Sequence, residues 1–112
     1  MQNLDSWRDD YSELFDQLRQ NRVQVSHYKY GRASKNFRTG NVDALATMER
    51  CIKKYRDTGN TEYLVDAANY CMFEFMFPQI PGAHFRATDS SESAGVVGIT
   101  ETEMQKFKEE DF

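Results

Sequence analysis

The chain has 112 residues, of which 39% are hydrophobic and 29% charged, with six Gly, two Pro and a formal net charge of −4. That length supports one domain, 1–112, with a modest core, and the composition excludes a disordered chain. No apolar run free of charge approaches the ~18 residues of a membrane span, and "MQNLDSWRDD" lacks the basic-then-apolar order of a secretory signal, so a cytoplasmic protein without membrane contact is expected.

The first element is a helix over about 6–21. Trp7, Tyr11, Leu14, Phe15 and Leu18 recur at helical spacing as one apolar face. Ser6 is its expected cap, Asp9 and Asp10 favour the positive first turn, and Arg19 and Arg22 favour the C-terminal end. The next segment, Asn21 to Asn41, carries Val23 and Val25 in alternation, then Tyr28 and Tyr30 in the opposite phase, punctuated by Gly31 and Gly40. It reads as a basic, partly extended loop.

A second helix is expected over 42–57, with Leu45, Met48, Ile52 and Tyr55 inward, Asn41 as cap and Gly59 as stop. The linker is so short that a third helix, 61–77, must fold back as an antiparallel hairpin. Asn60 or Thr61 caps that helix and Pro78 ends it. Cys51 and Cys71, the two cysteines, lie in these helical patterns and read as reduced buried thiols. The stretch after Pro78 is irregular, and "TETE" at 100–103 is a capping-box pattern for a short acidic terminal helix over about 100–112. The fold class is therefore all-α, a small bundle of three main helices, with Phe75, Leu64, Ile52, Leu45, Leu14 and Trp7 expected in the core.

Charge is segregated along the chain. Arg19, Arg22, Lys29, Arg32, Lys35 and Arg38 run without an acidic residue between Asp16 and Asp43, while the stretch after Asp89 is acidic. Such asymmetry serves docking within the chain or two faces for partners. Arg32, Lys35 and Arg38, with Tyr28 and Tyr30 interleaved, are the candidate partner-binding residues. The same run, 19–38, can in principle meet phosphates and stack bases, so nucleic acid is a further candidate partner.

On the third helix Glu62, Asp66 and Asn69 fall on one stripe. Its simplest reading is a polar seam, with Asp66 paired to a base such as Arg50 or Lys54 and Glu62 solvated. A second reading is a cation site: the stripe's oxygens suit Mg²⁺, or Zn²⁺ if His84 joins Glu62 and Asp66. The set Cys51, Cys71, His27 and His84 has the count of a zinc site but no close ligand pairing.

"EYLVDAANY" resembles the second acidic helix of the MazG-like all-α nucleoside triphosphate pyrophosphohydrolases. That resemblance implies Mg²⁺ held against substrate phosphates by Glu62 and Asp66. The longer stretch "GNTEYLVDAANYCMFEFMFP" is similar to segments of small acidic accessory proteins of phages and prophages. Some proteins of that class, anti-CRISPR proteins among them, block host nucleases by binding them. Neither a nucleophile–base set nor a phosphate-cradling glycine loop stands in the sequence. The expectation is a non-enzymatic protein-binding accessory or inhibitor protein, with pyrophosphohydrolysis and nucleic-acid binding as the alternatives.

Overall fold

The computed structural model describes residues 4–98, which fall into two compact units, 4–81 and 82–98. The first unit is all-helical, as its patterning requires. A 3-10 turn over Ser6–Asp10 leads into α1 (Glu13–Tyr30), α2 (Ala33–Arg38), α3 (Ala44–Thr58) and α4 (Glu62–Met76). No described residue is in a strand, and no described helix is long and apolar enough to cross a membrane. The expected helix from Thr100 lies outside the described residues.

Local chemistry sets the boundaries. Ser12, rather than Ser6, caps α1: its Oγ accepts from the Phe15 N–H at 3.0 Å. Ser6 instead opens the 3-10 turn, which Tyr11 ends in extended backbone. Asp43, rather than Asn41, caps α3, its Oδ1 accepting from the Ala46 N–H at 3.0 Å. At the far end of α3, Gly59 takes the left-handed conformation, φ 75°, and donates its N–H to the Tyr55 carbonyl at 2.7 Å. The chain then turns directly into α4, where Asn60 Oδ1 accepts from the Glu62 N–H at 3.0 Å. The α3–α4 hairpin is the main packing unit, and α1 and α2 pack against α4.

The segment expected to be a partly extended loop is helical. α1 continues to Tyr30, and α2 follows after Gly31. Val23 and Val25 do alternate in sequence, but on a helix residues two apart face nearly opposite ways. Val23 is half-buried and Val25 exposed, so the pair serves two faces of α1 rather than one face of a strand. Asn36 ties the joint together, donating from Nδ2 to the Tyr30 carbonyl at 3.0 Å and accepting at its own carbonyl from Val42 N–H at 2.9 Å.

The core sits elsewhere than the expected apolar face. Ala44, Val65, Ala67 and Phe73 are buried, together with Asn69. Leu45 and Leu64 are half-buried, whereas Trp7, Leu14, Ile52 and Phe75 are exposed, Phe75 at 72%. α4 is apolar nearly all round, so periodicity could not choose its buried line; the neighbours did, and they selected Val65, Asn69 and Phe73. Cys71 is likewise exposed and Cys51 half-buried; both are free thiols. Burial, followed by the nearby Asp66 charge, holds the Cys51 thiol above its usual range.

The second unit is irregular, as expected. Asp89 Oδ1 accepts from Ser91 N–H at 2.9 Å and Glu92 N–H at 3.2 Å, and Arg86 pairs with Glu92.

Candidate functional site

The stripe on α4 has a definite partner, and it comes from α1. The Arg22 guanidinium reaches Asp66 through two bonds, Nε to Oδ1 at 3.1 Å and Nη2 to Oδ2 at 3.4 Å. Its Nη1 meets Glu62 Oε1 at 3.0 Å. The fork matches the carboxylate geometry. Arg22 is held above its ordinary pKa, chiefly by the hydrogen bond to Asp66. Arg50 and Lys54, the expected partners on the preceding helix, do not fill that role. Asn69 completes the seam by donating from Nδ2 to the Arg19 carbonyl at 3.1 Å. Arg19 itself pairs with Asp16 at 3.4 Å.

This network fixes α1 against α4. Among the described residues no group of three or more His, Cys, Asp or Glu is placed to hold a metal ion. His84 belongs to the second unit, where it is exposed with Nδ1 3.0 Å from the Gly82 carbonyl oxygen.

Beside the network a cleft of about 150 Å³ opens between α1, α2 and α4. α2 positions its apolar wall: Phe37 stacks on Phe73 with ring centroids 4.5 Å apart and lies 6.0 Å from Tyr70. Burial is the first cause raising the Tyr70 hydroxyl above its usual pKa, followed by the nearby Cys51 and Asp66.

The other face of α1 is different in kind. Leu14, Leu18, Val25 and Tyr28 are 68%, 41%, 46% and 87% exposed. Their spacings of four, seven and three put them on one stripe of the helix. Asn21 stands at the remaining position of that line, and its Oδ1 accepts from Gln17 Nε2 at 2.9 Å. Just before the helix, the exposed Trp7 and Tyr11 meet edge to face at 6.0 Å.

The five sequence-derived partner-binding residues lie at and beyond the C-terminal end of this stripe, and all are exposed. Tyr28 ends the stripe and Tyr30 lines the cleft. Arg32, the cap residue of the short α2, and Lys35 and Arg38 within it are spaced by three, with Arg38 over the Phe77 ring at 5.2 Å. Sequence reasoning missed the outer stripe because it assigned Leu14 to the core, put Leu18 on the same apolar face and broke the helix at Asn21. Continuing the 3–4 spacing through Val25 and Tyr28 was the signal that would have found it. No family model matches the chain, and neither a curated protein nor a solved structure matches it.

Proposed function

We propose that the chain is a non-enzymatic accessory or inhibitor protein that works by binding another protein along the outer face of α1. The observation that carries this reading is the line Leu14, Leu18, Val25 and Tyr28, four apolar side chains left exposed on one stripe of an 18-residue helix. Scattered exposed apolar residues are ordinary, but apolar residues aligned at this spacing, here interrupted by Asn21, are the form that helix-in-groove recognition takes. The basic residues beyond its C-terminal end, Lys29, Arg32 and Lys35, favour a partner whose apolar surface is bordered by carboxylates. The resemblance to phage accessory proteins adds a host nucleic-acid-targeting nuclease as the partner class, met on a surface away from its basic substrate path.

The pyrophosphohydrolase reading asks for carboxylates free to hold Mg²⁺ against phosphates. Here Glu62 and Asp66 are engaged by Arg22, and on α3 Asp57 pairs with Lys53 at 2.8 Å. These pairings support an interaction role over that chemistry.

The test is a photo-crosslinking amino acid placed at position 18 of the intact chain in its native cells, with nucleic-acid filter binding alongside. A discrete protein adduct, weakened by charge reversal at Arg32, Lys35 and Arg38, is expected. Micromolar, strongly salt-dependent binding of DNA or RNA with no protein adduct would overturn the reading.

A further inference from the structure

We infer that the outer face of α1 pairs with a second copy of this chain, the two helices lying antiparallel about a two-fold axis. The inference rests on the reading of that face as a docking surface, and it names what covers the face when no other protein does.

The stripe has coiled-coil spacing. Leu14, Leu18, Asn21, Val25 and Tyr28 alternate steps of four and three, which keeps them in line against a second helix. All five are exposed. One flank carries the exposed, uncharged Gln17 and Gln24, while Arg22 on the other is engaged by Glu62 and Asp66 of α4. No unpaired charge along the middle of the stripe therefore opposes close approach. The single asparagine within it favours one register at some cost in stability.

Unpaired charge enters at the two ends, with opposite sign. Asp9, Asp10 and Glu13 stand at the start of the stripe, and Lys29, Arg32 and Lys35 follow its end. All six are exposed, and none makes an ion pair among the described residues. Such a surface is complementary to itself only when reversed. An antiparallel copy sets the acidic start of each helix against the basic end of the other, and the two-fold axis makes that contact twice. A parallel copy sets like charge against like at both ends. The basic end calls for an apolar surface bordered by carboxylates, and the start of the same helix is one. There the exposed Trp7, Tyr11 and Leu14 stand among Asp9, Asp10 and Glu13, and Tyr28 of a reversed copy points toward them. The stripe is only about two heptads long, so the dimer is reversible and micromolar, and another protein docking on this face competes with it.

The experiment is sedimentation equilibrium of the intact chain across protein and salt concentration. A monomer–dimer equilibrium that weakens as salt rises is expected. Leu18→Asp should raise the dissociation constant about 30-fold or more. Two charge-reversed chains test the orientation. One carries Asp9→Lys, Asp10→Lys and Glu13→Lys, the other Lys29→Glu, Arg32→Glu and Lys35→Glu. Each alone should be monomeric, and their equimolar mixture should recover the dimer. If either triple variant fails to melt cooperatively, Glu13→Lys and Lys29→Glu take their places, with the same order of affinities at smaller amplitude. A wild-type chain that stays monomeric up to about 1 mM, a dimer unaffected by Leu18→Asp, or reversed chains that each dimerise as wild type does would each overturn the pairing. A monomeric chain that still crosslinks to another protein through position 18 overturns the pairing alone and leaves the docking face standing.

Discussion

The two faces of α1 use the same helix for opposite purposes. The inner face presents Phe15, Arg19, Arg22 and Val23, and its polar groups find partners on α4: Arg22 on Glu62 and Asp66, the Arg19 carbonyl on Asn69. The outer face presents Leu14, Leu18, Val25 and Tyr28 to solvent. Apolar side chains left in water on one face, while the other face pairs polar groups, do nothing for the fold, so the outer face is where a role other than folding is to be sought. α4 repeats the contrast within three residues, since Phe73 is buried under Phe37 and Phe75 is exposed.

The largest effect that separates the faces is on α4. Phe73→Ala should destabilise the fold by about 3–5 kcal/mol, and Phe75→Ala by less than about 1 kcal/mol, measured by denaturant unfolding. Equal losses would erase the distinction between an inner and an outer face.

A smaller effect belongs to the α1–α4 pairing. Arg22→Ala should cost about 1–2 kcal/mol, since the pair is charge-assisted but its arginine is partly solvated. Arg22→Lys should recover only part of that, because an ammonium cannot span both Asp66 oxygens. A chelator should leave the melting temperature of the wild-type chain unchanged. A chelator effect that Asp66→Asn removes would place a cation, rather than the guanidinium, at the centre of the network.

The smallest effect is a pH dependence at the start of α3. Asp43 accepts from the Ala46 N–H, and from Gln79 Nε2 at 3.0 Å, and these bonds hold its carboxyl below the usual aspartate range. A carboxyl depressed in the folded state contributes stability above its unfolded pKa, near 3.8, and that contribution fades as pH falls through the lower folded value. Asp43→Asn should therefore lower the melting temperature slightly at neutral pH and flatten its decline below about pH 4. An unchanged acid limb would mean that the cap does not titrate with folding.

The hairpin of α3 and α4 was readable because its signals are local: Gly59 as a stop and a linker too short for anything but reversal. What was not readable depended on distant neighbours. Asp66 faces Arg22, 44 residues away, rather than a base on the adjacent helix. The buried line of α4 passes through Asn69 because α1 supplies a carbonyl there, and no pattern within α4 encodes that carbonyl. α1 was cut short because Val23 and Val25 mimic a strand when the two faces of the helix are not told apart. The same error concealed the candidate binding face, since its first half was assigned to the inward apolar face and its second half to a loop.

The most direct test of that face is the affinity of the protein captured by crosslinking at position 18 for the Leu18→Asp, Val25→Asp double variant. The stripe should behave as the anchor of an interface, so the loss should be about 30-fold or more, equivalent to about 2 kcal/mol, with a melting temperature within a few degrees of wild type. Phe75→Asp should bind as wild type does. An unchanged affinity in the double variant, or an equal loss in Phe75→Asp, would contradict the assignment of binding to the outer face of α1.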